Sequence, residues 1–265
     1  MRCITSVLVL GVMTVVQAKT ISITIGQRAE MRGESLVVKA TVGNLGDEAA
    51  KSVALNLRFG HRHVRGKVHE VLQPGATFEE ELSIETGLLG DGRWPYQIAV
   101  DYADANLYSF QALLVTTTVV GSPPPATLSV PEIKSTGIAR SGPLSITLKN
   151  LAGPERVVSY RVLVPEGLEA TEPTGTMPLN GWGEETTSVE VVNRTALAGS
   201  RYPVFVAVEY EDGGTHQSVV AQGIVDIVAP RKFLEENQMF LLAGAALLVA
   251  LWIVLAVRRA TTRPS

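Results

Sequence analysis

The chain has 265 residues, 26 acidic and 23 basic side chains, a formal net charge of −3 and one cysteine. That length admits two ordinary domains. The slightly acidic balance argues against a general nucleic-acid-binding surface, and a single cysteine excludes an internal disulfide framework and thiolate metal clusters.

Residues 1–18, MRCITSVLVLGVMTVVQA, read as a secretory signal peptide. Arg2 supplies the positive start, Ile4 to Val16 the apolar stretch, and Val16-Gln17-Ala18 the cleavage triplet, with the cut expected after Ala18. The alternative is an uncleaved N-terminal anchor, for which the run is short. Cys3 lies inside this segment, so the mature chain is expected to carry no cysteine. Between Lys19 and Gln238 stand all 26 acids and 19 of the 23 bases, a formal charge of −7.

In the segment 19–120, period-two alternation predicts half-buried strands. Leu36, Val38, Ala40 and Val42 share a face of SLVVKATVGN (35–44), and Val53, Leu55, Leu57 and Phe59 share a face of SVALNLRF (52–59). GHRHVRGKVH (60–69) follows and holds three of the four histidines. VLQPGATFEEELSIE (71–85) contains a Pro-Gly turn, then a strand carrying Phe78, Leu82 and Ile84. RWPYQIAVDYAD (93–104) closes the pattern.

GSPPPA (121–126) reads as an extended, semi-rigid spacer. The segment 127–229 then repeats the first. RYPVFVAVEYED (201–212) aligns with 93–104 without a gap at an offset of 108, and Asn150-Leu151 echoes Asn44-Leu45 at an offset of 106. Leu144, Ile146 and Leu148 alternate in PLSITLKN (143–150), and Gly213-Gly214 marks a hairpin turn. A period this long implies two whole domains. Roughly seven short strands per half predict an all-β ectodomain of two tandem immunoglobulin-like β-sandwiches. The first is expected to extend outward past the spacer.

After a juxtamembrane stretch (230–238), residues 239–257, MFLLAGAALLVALWIVLAV, form an uncharged run long enough for one C-terminal transmembrane helix. A buried core helix is the alternative. Arg258, Arg259 and Arg263 in the tail 258–265 fit a cytoplasmic C-terminus. The expected location is therefore a bacterial cytoplasmic (inner) membrane, with the N-terminal ectodomain periplasmic or extracellular.

Asn-Leu-Gly after a first strand, the LQPG turn (72–75) and Gly-Arg-x-Pro-Tyr leading into IAVDYAD (98–104) resemble the bacterial and archaeal adhesion-like modules called CARDB and NEW3. The second half matches more loosely, and MPLNGWGEE (177–185) stands where LQPG would be. The resemblance implies immunoglobulin-like sandwiches of surface and periplasmic proteins; its motifs belong to a fold rather than to a site.

His61, His63 and His69 are the candidate metal-ligating residues. A turn at Arg65-Gly66 would leave His61 and His63 on one face with His69 on the other. A loop at Val64-Arg65-Gly66 would put all three on one face, a candidate Zn²⁺ or Cu²⁺ site. Arg62, Arg65 and Lys67 oppose a cation and would suit a weak anion patch, and an ordinary polar hairpin is the plainest reading. Glu79-Glu80-Glu81 and Glu184-Glu185 are expected at solvated edges. Tyr102 and Tyr210 are expected to pack across the sandwich as a tyrosine corner does. Trp94, Trp182 and Tyr108 are the candidates for an aromatic platform on a carbohydrate- or polymer-binding adhesin, with Trp94 expected inside. No nucleophile–base or paired-acid set can be placed, so the sequence points to no enzyme and no cofactor. It points to a protein-binding or scaffolding module whose partner is another envelope or membrane protein.

Overall fold

The computed structural model describes residues 20–230 and a few helical positions between 239 and 252. The signal-peptide reading and the cytoplasmic tail lie outside the described residues, as does most of the proposed span. Among the described residues no helix is long and apolar enough to cross a membrane. From residue 20 to 230 the protein is all-β, built from several sheets.

The first half holds β1 (Ile23–Arg32), β2 (Ser35–Asn44), β3 (Ala50–Phe59), β4 (Arg62–Leu72), β5 (Thr77–Glu85), β6 (Gly92–Ala103) and β7 (Ser109–Val120). They form a three-stranded sheet, β1-β2-β5, facing a four-stranded one, β4-β3-β6-β7, all antiparallel. The alternating residues do what their spacing predicts. Leu36, Val38, Ala40 and Val42 meet Val53, Leu55, Leu57, Ile98 and Val100 in one core between the sheets. The Tyr96 hydroxyl, at the edge of that core, donates to Gln27 Oε1 at 2.8 Å.

The second half repeats this order. Its strands are β8 (Leu128–Ser135), β9 (Ser141–Asn150), β10 (Arg156–Leu163), β11 (Leu168–Ala170), β12 (Thr174–Leu179), β13 (Glu184–Asn193), β14 (Arg201–Asp212) and β15 (Thr215–Asp226). One sheet is β8-β9-β13, extended by the short β11, and the other is β12-β10-β14-β15. The core gathers Leu144, Ile146, Leu148, Val158, Val204, Val206 and Val208. The segment 180–183 takes the place of the first half's Pro-Gly turn, so MPLNGWGEE spans the end of β12, a turn and the start of β13.

The repeated Asn-Leu pair explains why the two halves fold alike. Asn44 and Asn150 are fully buried, while Leu45 and Leu151 are exposed. Asn44 Nδ2 donates to the carbonyls of Glu48 (2.7 Å) and Leu72 (3.2 Å), and its Oδ1 accepts from Gly46 N at 3.0 Å. Asn150 does the same with Pro154 (2.8 Å), Leu179 (3.4 Å) and Ala152 N (3.0 Å). Each carboxamide ties two loops at one pole of its sandwich and satisfies carbonyls that burial would otherwise leave unpaired.

The spacer does not hold the halves apart. The Pro124 carbonyl accepts from Arg93 Nη1 (2.5 Å) and Gln217 Nε2 (3.2 Å), and Arg93 also donates to Gln217 Oε1 at 2.9 Å. Gly92 and His216 form a parallel bridge joining β6 to β15. A Cβ at Gly92 would overlap the His216 carbonyl oxygen, so this approach requires glycine. Ala99, Leu113 and Val115 from the first half bury Phe205 from the second, with Leu163 and Val220 alongside. These side chains belong to the outer faces of the two four-stranded sheets. The sandwiches therefore lie side by side, which corrects the expected outward extension of the first one. The spacer is short and its central carbonyl is gripped from both sides, so the chain doubles back.

Candidate functional site

The histidine segment turns earlier than either expected register. Phe59 pairs with Arg62, Arg58 with His63, Asn56 with Arg65 and Val53 with His69. The tight turn is therefore Gly60-His61, and Gly60 has the positive φ (57°) that the first position of a type II′ turn demands. Gly66 and Lys67 form a bulge opposite Leu55. His61 stands in the turn. His63 shares the outer face with Arg58. His69 shares the inner face with Val53 and stacks on Phe78, with ring centroids 3.8 Å apart. The structure does not bring the three imidazoles together. Among the described residues no group of three or more His, Cys, Asp or Glu is arranged to hold a metal ion.

The acid run next to it is not uniformly solvated either. Glu79 pairs with Lys39 (2.6 Å) and Glu81 with Arg32 (3.3 Å) at the surface of β5. The Lys39 ammonium holds the Glu79 carboxyl below its ordinary range. Glu80, between them, turns inward over the bulge, where its Oε1 accepts from Lys67 N at 2.8 Å.

A concave feature lies between the halves. It is a cleft of about 650 Å³ with Arg58, Phe59, Trp94, Gln97 and Val115 on one wall and Arg161, Leu163, Glu169, Thr174 and Glu209 on the other. Register builds the first wall: His63, Arg58, Gln97 and Val115 form a row across β4, β3, β6 and β7. On the second wall Arg161 stands beside Ala207 and Thr174. One end is closed by Trp94 stacked on His216, with centroids 3.8 Å apart. The His216 ring lies between two acids, with Nδ1 2.9 Å from Glu211 and Nε2 3.3 Å from Glu209.

Charge in the cleft is unevenly compensated. Glu169 is paired with Arg194 at 2.6 Å, and Glu209 faces His216. Asp101, deeper in the junction, accepts from Asn56 (2.9 Å) and Gln111 (2.8 Å). The guanidinium groups of Arg58 and Arg161 take part in no hydrogen bond or ion pair with another described residue. At the opposite end of β6, burial first and the nearby Tyr202 second push the Tyr102 phenol up to about 12. Tyr210, in contrast, is anchored: its hydroxyl accepts from Thr127 N at 2.7 Å.

Trp94 was expected inside its own sandwich and instead packs at the junction. Trp182 and Tyr108 are exposed, on loops of different halves. Sequence reasoning missed Arg58, Arg161, Glu209 and His216 as a group. Their one sequence signal is that Arg58, Arg161 and Glu209 fall on the non-core parity of strands whose other face is apolar.

No family model matches the chain, and no curated protein matches it. Solved structures do. A red sea bream transglutaminase is 9% identical with a TM-score of 0.28, covering 82% of this chain and 32% of that one. The native conformation of alpha-2-macroglobulin from Escherichia coli is 11% identical with a TM-score of 0.33, covering 79% and 17%. The trypsin-activated form of that protein is 12% identical with a TM-score of 0.32, covering 79% and 18%. The chain thus spans about a third or less of the length of these structures.

Proposed function

We propose that this is a non-enzymatic, single-pass membrane protein of the bacterial envelope. Two tandem immunoglobulin-like domains, akin to CARDB and NEW3 modules, form a protein-binding or scaffolding unit, and its partner docks in the cleft between them. The observation that carries this reading is the cleft itself. Both walls are outer sheet faces, both halves contribute, and it exists only while the halves are docked. Concave sites with mostly apolar walls and a few placed polar groups are what binding requires. The strand order of each half, with sheets A-B-E and G-F-C-C′ in immunoglobulin lettering, supports the domain type. The acids support binding over catalysis, since Asp101, Glu169 and Asp212 are each engaged in structural contacts. The apolar run 239–257 and the signal-like N-terminus support the location.

The test uses the chain's cysteine economy. A photoreactive label is attached through Gln97→Cys in the cleft, or through Glu190→Cys on the far sheet, and cross-linked in native membranes. A discrete adduct is expected from Gln97→Cys only. Equal labelling from both positions, or none from Gln97→Cys, would refute cleft-mediated binding.

A further inference from the structure

Resting on that reading of the cleft, we infer that the partner enters it as an extended acidic segment. Its carboxylates are received by Arg58 on one wall and Arg161 on the other, and an apolar side chain settles against Val115 and Leu163. Arg32, Arg62, Arg156, Arg194 and Arg201 each have a carboxylate within 4.0 Å. Arg58 and Arg161, both exposed, have none, and both line the same open cleft. The acids that could serve them are committed elsewhere: Glu169 to Arg194, Glu209 towards His216, and Asp101 to two carboxamides. A guanidinium fork left open in a cleft suits a carboxylate, which it can bind through two parallel hydrogen bonds.

The register sets a second arginine, Arg65, on the same outer face as Arg58. His63 lies directly opposite Arg58, and Arg65 lies opposite Asn56, so all three bases share the outer face of one sheet. Arg62, on the inner face, is by contrast neutralised by Glu85 at 3.5 Å. The basic hairpin thus divides into a structural face and an open face, and the open face borders the cleft. Val115 and Leu163 give the floor its apolar character, which calls for a segment mixing acids with aliphatic side chains rather than a bare polyanion. An extended strand meets that demand, because alternate side chains point to opposite walls.

The probe is a short, capped, dye-labelled peptide alternating glutamate with leucine; its counterpart carries glutamine in place of glutamate. Binding to the full-length chain in lipid nanodiscs is followed by fluorescence anisotropy. The acidic peptide is expected to bind about tenfold or more tightly than the glutamine peptide, and to weaken as salt is raised. Arg58→Gln and Arg161→Gln are each expected to cost about tenfold, whereas Arg201→Gln, which breaks a surface pair with Asp226, leaves binding unchanged. Equal binding of the two peptides, no binding of either, or retention of affinity in both cleft variants would overturn the inference. If Gln97→Cys still cross-links a partner while the acidic peptide shows no advantage, the charge assignment falls and the cleft reading stands. If cross-linking fails as well, both fall.

Discussion

Replacing Asn44 by alanine should unsettle one whole pole of the first sandwich. The carboxamide makes two donor bonds, to Glu48 O and Leu72 O, and accepts from Gly46 N and, at 3.4 Å, from Ser22 N, in a fully buried position. A net hydrogen bond contributes about 1 kcal/mol, and a buried carbonyl left unpaired costs about 1–3 kcal/mol. Water can reach the Glu48 and Gly46 groups once the loop loosens, but the Leu72 carbonyl is in the interior. The expected loss is therefore about 3 kcal/mol, or roughly 12–20 °C in the unfolding midpoint of a domain of this size. Asn44→Asp should be no better, because a carboxylate cannot donate to two carbonyls and would be buried as a charge. Leu45→Ala, at a residue 71% exposed, is the matched control and should change stability by less than about 0.5 kcal/mol. Urea unfolding, monitored by circular dichroism, reads all three. A loss below about 1 kcal/mol for Asn44→Ala would refute the pinning argument.

Other perturbations address the remaining contacts. Gly92→Ala should push β6 from β15 and part the halves, seen as a larger radius of gyration in small-angle scattering with strand content intact; an unchanged radius would count against tight docking there. Phe205→Ala should remove the central side chain of the junction, costing about 3 kcal/mol and exposing the cleft walls to hydrogen exchange. Glu80→Ala should cost about 1–2 kcal/mol by freeing Lys67 N, while Glu79→Ala, which breaks only a solvent-exposed pair, should leave stability essentially unchanged. Burial pushes the phenols of Tyr96 and Tyr102 up to about 12. With the folded pKa above the unfolded one, stability is complete below pH 10 and declines between about pH 10 and 12. Tyrosinate absorbance should accordingly show Tyr96 and Tyr102 ionising late.

Strand alternation was legible in the sequence because one face of each strand meets a core. Leu36 to Val42 and Leu144 to Leu148 needed no information beyond parity. The hairpin was harder. Two glycines, Gly60 and Gly66, each signal a turn, and only pairing with β3 decides that Gly60 turns while Gly66 bulges. The acid run misled for a related reason: three consecutive glutamates on a strand cannot all point outward, and the middle one must face whatever lies behind. The cleft was invisible because it arises from docking two outer faces, and parity marks such faces only as non-core. Phe205 and Leu113 were the available clue, being apolar residues on the parity that a lone sandwich would leave wet.

The doubling-back at Pro124 has a mechanical consequence. β6 and β15 start together at Gly92 and His216 and run the same way, and Tyr102 approaches Tyr202 near their far ends. The loop that follows β6 and the exit of the chain after β15 therefore share one end of the molecule. A duplicated domain usually gains height, as beads on a string do. Here the second copy adds breadth. Tension along the chain would act first on the Arg93–Pro124–Gln217 clasp, well before either sandwich is strained, so the clasp is where this molecule would lengthen.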